Sequence, residues 1–199
     1  MKKIVLFSFI FVLVMFSAFA GPFGFSMGMT LDEIKLACDG REPKYIDDDR
    51  YYVRPAKSHP LFDEYIVWVS ETDGLYYIKG ISREIKTTGY GTEVKKEFSN
   101  LLSPLERKYG VFKKTDKIDK DTLWRKESDW MYAIAHGART YEAEWIASVE
   151  SSIEKFEGLL TIAVGVETRA TYVTDEAYIW IEYGFLNQVD GFSELDDVL

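Results

Sequence analysis

The chain has a single cysteine and only two histidines in 199 residues. One thiol leaves no internal disulfide, so stability has to come from packing. Cys38 falls on the apolar side of a predicted helix and reads as a buried, inert thiol. His59 lies in a proline-flanked loop. His136 lies at a helix end, where a charged imidazole is favoured without any ligand. There is no G-x-S-x-G, H-E-x-x-H or C-x-x-C, and no phosphate-binding glycine loop. The residues therefore imply no metal and no cofactor. Apart from the first twenty residues, no stretch is apolar enough to cross a bilayer.

Those first twenty residues, MKKIVLFSFIFVLVMFSAFA, have the form of a secretory signal peptide. Lys2 and Lys3 supply the positive end, an uncharged apolar run follows, and Ala18-Phe19-Ala20 fits a small-x-small cleavage site. The expected mature chain starts at Gly21. No cysteine stands at that point, so neither a lipid anchor nor a transmembrane anchor is expected after cleavage. The expected location is the bacterial periplasm or the exterior. Losing Lys2 and Lys3 takes Lys plus Arg from 24 to 22 against 33 Asp plus Glu, a net charge of −11. That balance disfavours nucleic acid and anionic membrane as partners and mildly favours a basic one.

The clearest element is GTEVKKEFSNLLSPLERKYG, Gly91 to Gly110. Val94, Phe98, Leu101, Leu102, Leu105 and Tyr109 fall on one stripe at helical spacing. Thr92 reads as the N-cap, Glu93 suits the positive end, Arg107 and Lys108 suit the negative end, and Gly110 closes the helix. Pro104 removes one amide from the interior, on the polar edge where water can serve the freed carbonyl. Upstream, Thr30 and Glu33 form a capping box at the start of a helix carrying Leu31, Ile34 and Cys38 on one side.

The stretch Phe23-Gly24-Phe25-Ser26-Met27-Gly28-Met29-Thr30-Leu31-Asp32-Glu33-Ile34 resembles the opening of exported bacterial domains built on the β-lactamase-inhibitor-protein-like plan. The small outer-membrane-assembly lipoproteins share that opening. The resemblance covers about a dozen residues and implies a capped helix packed on an antiparallel sheet, in a tandem layout. It carries no chemistry, and the missing anchor cysteine departs from the lipoprotein branch.

Alternating patterns mark the strands. Lys44–Ile46 and Tyr51–Arg54 flank the acidic turn Asp47-Asp48-Asp49. Glu64–Ser70 and Leu75–Thr87 flank the turn Glu71-Thr72-Asp73-Gly74, with a parity slip that predicts a bulge at Gly80. Thr140–Ser148, Gly158–Thr168 and Glu176–Leu186 follow a short helix at Ser128–His136. Val111 to Lys126, dense in charge, reads as a linker or exposed loop. Glu150–Glu157 reads as a polar connection. In the last three strands Tyr141, Ala143, Trp145, then Leu160, Ile162, Val164, Val166, then Ile179, Ile181, Tyr183 and Phe185 are expected inward.

The expected fold class is α+β: an antiparallel sheet with helices packed on one face, divisible into two tandem α-β-β-β halves. The expected division is 21–110, a charged connector 111–127, 128–190, and an acidic tail 191–199.

Candidate sites are few. Asp47-Asp48-Asp49, and Asp116, Asp119 and Asp121, could offer oxygens to calcium but lack the D-x-[DN]-x-[DN]-G spacing and read as solvated turns. Glu142 and Glu144 share one strand face and, with His59, are the candidates for a hydrolase acting on a glycan or other envelope substrate. The third set is aromatic. Trp68, Tyr76, Tyr178 and Trp180, with Tyr52, fall opposite the aliphatic faces. On an uncovered sheet face they form a partner-binding patch, and between stacked halves they are core. The leading expectation is a non-enzymatic envelope module binding a protein or peptide. The alternatives are that hydrolase and an acidic inhibitor of immunity type.

Overall fold

The computed structural model describes residues 21–147 and 156–188. The signal peptide reading of 1–20, the acidic tail 191–199 and most of the polar connection 150–157 lie outside the described residues.

Nine strands form one antiparallel sheet: β1 (Lys44–Asp47), β2 (Arg50–Val53), β3 (Phe62–Ser70), β4 (Gly74–Ser82), β5 (Ile85–Lys86), β6 (Lys113–Ile118), β7 (Arg139–Ile146), β8 (Leu159–Glu167) and β9 (Glu176–Phe185). The order across the sheet is β1-β2-β3-β4-β9-β8-β7-β6, with β5 also paired to β9. Three helices complete the described fold: α1 (Leu31–Ala37), α2 (Thr92–Tyr109) and α3 (Trp130–Ala135). The fold is α+β, as the alternating patterns imply.

The helices bury one face. Phe25, Ile34, Cys38, Val67, Ile78, Val94, Phe98, Trp130, Met131, Trp145, Ile162, Val164, Ile179, Ile181 and Phe185 belong to a single core that runs the width of the sheet. α1 starts with both halves of its capping box: Glu33 N–H donates to Thr30 Oγ1, and Thr30 N–H donates to Glu33 Oε2 at 2.9 Å. Cys38 is buried, and burial pushes its thiol pKa up.

α2 corrects one detail of the sequence reading. Gly91, not Thr92, is the N-cap; it has φ +67 and makes no side-chain cap bond. A Cβ at Gly91 would sit 2.2 Å from the Trp130 ring, so both the left-handed backbone and the contact require glycine. Glu93 instead reaches back to Thr87 Oγ1 at 2.7 Å and to the amide of Thr88. Pro104 sits exposed inside the helix, and Gly110 ends it.

The strands depart from their simple patterns in three places. Lys113–Ile118, read from its charge as part of a linker or loop, is the edge strand β6 and pairs with β7 along six residues. Lysines on an outermost strand keep it from pairing further, which is why its sequence does not look like a strand. The β4 bulge falls at Tyr76 rather than Gly80: Trp68 pairs with Tyr77 and Val69 with Leu75, while Gly80 stays in register between Tyr65 and Ile181. In β8 a shift between Leu159 and Thr161 puts Leu159, not Leu160, in the core.

Candidate functional site

No described helix covers the second face of the sheet. The registers lay its side chains out in rows. One row runs Lys44, Tyr52, Ile66, Lys79, Glu182, Ala163, Glu144, Lys113. A second runs Arg50, Trp68, Tyr77, Gly184, Thr161, Ile146, and a third Glu64, Ile81, Trp180, Gly165, Glu142, Thr115. None of Ile66, Trp68, Tyr77, Ile81, Tyr178 and Trp180 belongs to the core on the helix side.

Of the aromatic residues singled out from the sequence, Trp68, Tyr178, Trp180 and Tyr52 share this face. Tyr76 sits at the bulge and has no ladder partner on β3. Its phenol lies in the surroundings of Asp49, Asp48 and Arg50, and burial, then Asp49, raises its pKa. Tyr77 takes the place beside Trp68, edge to face with ring centroids 5.0 Å apart. The alternation rule missed Tyr77 because a bulge leaves no mark in the pattern when both residues are tyrosine.

Trp180 is only 8% exposed although no described helix lies over it. Its ring lies across β8: a Cβ on Gly165 would come within 2.2 Å of the indole Cζ2 and 2.9 Å of Nε1. Lys79 Nζ sits 5.3 Å from the Trp180 ring and bonds Glu182 Oε1 at 2.7 Å. Glu182 also accepts from Tyr77, whose pKa rises through burial and then this bond. Tyr178 donates to Glu167 Oε2 at 2.6 Å, and its pKa is likewise raised, first by burial.

Glu142 and Glu144 project onto the same face. Burial raises the Glu142 pKa, and the negative charges of Glu167, Glu182 and Glu144 raise it further. His59 does not join them. Its Nδ1 accepts from the Leu61 amide at 3.2 Å, and its ring packs on Phe62 of the core face. Burial lowers its pKa. His136 caps α3, with its ring stacked on Trp124 at 4.0 Å. Asp47 is paired with Arg50, and Asp116 with Arg139. Among the described residues no three acidic, histidine or cysteine side chains are grouped to hold a metal ion. No described helix is long and apolar enough to cross a membrane.

Positive charge collects elsewhere. Lys95 sits 4.3 Å over the Trp130 ring, Lys114 sits 4.6 Å over Tyr141, and Arg139 lies beside them, all on the helix side near β6. A cavity of about 260 Å³ next to Tyr178 is lined by Glu84, Arg169, Tyr172 and Glu176. Arg169 there is already bonded to Glu64 at 3.2 Å and Glu84 at 3.0 Å. No protein-family model, curated protein or solved structure matches the chain.

Proposed function

We propose that the protein is a non-enzymatic module of the bacterial envelope that binds another protein on the helix-free face of its sheet. The observation that carries this reading is the set Trp68, Tyr77, Ile66, Ile81 and Trp180, which are half-buried or buried yet lie outside the core. Apolar and aromatic side chains on an uncovered face, here set on both sides of the Lys79–Glu182 pair, mark protein interfaces, where Trp and Tyr are enriched. The short opening that resembles exported β-lactamase-inhibitor-protein-like domains, and the signal-like first twenty residues, support an exported location.

The test is capture from envelope extracts by the chain starting at Gly21, beside two variants. Trp68→Ala combined with Tyr77→Ala is expected to lose a stoichiometric partner. Leu36→Asp, at an exposed position of α1 on the other side, is expected to keep it. Retention of the partner by the face variant rules the reading out.

A glycan hydrolase is a second reading, favoured only by the raised pKa of Glu142 beside Glu144. It requires turnover of an envelope glycan that Glu142→Gln abolishes.

A further inference from the structure

The middle of the open face holds more acid than base. Glu142, Glu144, Glu167 and Glu182 stand on the three adjacent strands β7, β8 and β9. Lys79 bonds Glu182, and Lys113 lies across the ladder from Glu144. Glu142 has no such neighbour. It is half-buried, three carboxylates crowd it, its ladder neighbour on β6 is the neutral Thr115, and among the described residues no ion pair or side-chain hydrogen bond reaches it.

An independent observation points at the same spot. The Nε1 atom of Trp180 is buried and has no acceptor. A buried donor left unmade costs about 1–3 kcal/mol, so its survival calls for a reason. The Nε1 edge of the ring lies over Gly165, and Gly165 is the ladder partner of Glu142. The indole Nε1 edge thus reaches from β9 over β8, the strand next to Glu142, and the two groups are not bonded to each other. An unused donor and a carboxylate without an ion pair therefore stand on the two strands that flank one glycine. A small group that accepts on one side and donates on the other completes both.

Lys79 shows what chemistry this surface accepts. Its ammonium rests between the Trp180 ring and the Glu182 carboxylate, combining ring attraction with an ion pair. The Glu142 side of the same indole has no equivalent.

We propose that this site takes a lysine- or arginine-bearing segment of a partner protein, extended across β7 to β9. Its cation sits between Glu142 and Glu144, and one of its main-chain carbonyls accepts from Trp180 Nε1–H. The inference rests on the open face being a protein-binding surface, and it names the chemistry of the partner. A peptide brings both groups at once. A neutral glycan hydroxyl could bridge the gap but would leave Glu142 without a cation, and an acidic segment would add a fifth negative charge.

The test follows the Trp180 indole N–H resonance, assigned with Trp180→Phe, in the labelled chain starting at Gly21. Three probes are titrated: a terminally blocked peptide of alternating lysine and glycine, its glutamate counterpart, and a hexamer of β-1,4-linked N-acetylglucosamine. The lysine peptide is expected to shift the resonance with a Kd on the order of 1 mM, a strength normal for a generic short ligand. Glu142→Gln with Glu144→Gln, which keeps shape and removes charge, is expected to weaken it about tenfold, as is raised salt. The inference is overturned by equal binding of the glutamate peptide, by a shift with the sugar alone, by an unchanged Kd in the double variant, or by no shift with the lysine peptide. If the peptide fails while Trp68→Ala with Tyr77→Ala still abolishes partner capture, the open-face reading stands and the basic segment falls. If capture is also unaffected, both fall.

Discussion

Gly165 has no side chain, and Trp180 occupies the space one would fill. The predicted consequence of Gly165→Ala is a clash with the indole at a distance no real Cβ tolerates. Overpacking of this kind costs about 1–3 kcal/mol. Trp180→Leu in the same chain is expected to recover most of the loss, and a double-mutant cycle by chemical denaturation measures the coupling. Glu142 makes a second prediction. Its carboxyl pKa is higher in the fold than in the unfolded chain, so the folded state binds more protons and stability falls as pH rises from the ordinary glutamate value through the raised one. Glu142→Gln is therefore expected to match the parent at low pH and to melt slightly higher, on the order of 1 °C, at neutral pH. A melt series across pH checks it; a Tm lowered at neutral pH defeats it. Neither residue's role was legible in the sequence. Glu142 and Glu144 could be placed on one strand face from alternation, but their distance from cations depends on which strands become neighbours. That pairing is a long-range fact, and so is the choice between Tyr76 and Tyr77, which turns on one bulge.

At the scale of elements, regular patterns carried further. The stripe from Val94 to Tyr109 forms α2, and the buried positions Val94, Phe98, Leu101, Leu102 and Tyr109 are those the 3.6-residue period picks out. Alternation likewise located β3, β7, β8 and β9 to within a few residues. It failed at β6, where Lys113, Lys114 and Lys117 leave neither face apolar, because an edge strand is selected for solvation more than burial. Pro104 lies exposed in α2 and denies Asn100 its helical partner. Pro104→Ala restores that bond and is expected to stabilise the chain by about 1 kcal/mol, the lost proline constraint on the unfolded state taking back part of the gain. The end of the same helix is tied to the sheet by one side chain: the buried Trp145 of β7 donates from Nε1 to the Gly110 carbonyl at 2.7 Å. Trp145→Phe removes the donor, leaves the carbonyl short of a partner and shrinks the ring. A loss of about 1–3 kcal/mol is expected in denaturant unfolding. An unchanged midpoint would show that water serves Gly110 equally well.

The whole molecule turns on the seam between β4 and β9. Helix-then-strands recurs on either side of it, with α1 ahead of β1 to β4 and α3 ahead of β7 to β9, which is the echo visible in the sequence. Sequence periodicity says nothing about whether such halves share a sheet, because cross-strand pairing between residues about a hundred positions apart leaves no local mark. In the fold they are continuous. Gly80 pairs with Ile181, Ile78 with Tyr183, and Lys79 with Glu182, so β9 serves both sides. Ser82, the last residue of β4, extends the seam beyond the Ile81–Trp180 pair by accepting at its Oγ from the Ile179 amide at 2.9 Å. The core follows the same course, and Ile181 is 1% exposed at its middle. Truncating it to alanine is expected to cost about 2–5 kcal/mol. Where the loss is felt distinguishes a shared core from two neighbouring ones. With one cooperative core, native-state amide exchange should accelerate equally in the slowest amides of β7 and of β3, four strand positions away across the sheet. If only β7 and β8 lose protection, the halves open as separate units and the open face is a surface made by their docking. Uniform acceleration makes the open face as rigid as the core beneath it. A rigid face can present Trp180 and Glu142 to a partner with little ordering cost, which is the condition under which so small a cluster could contribute usefully to affinity.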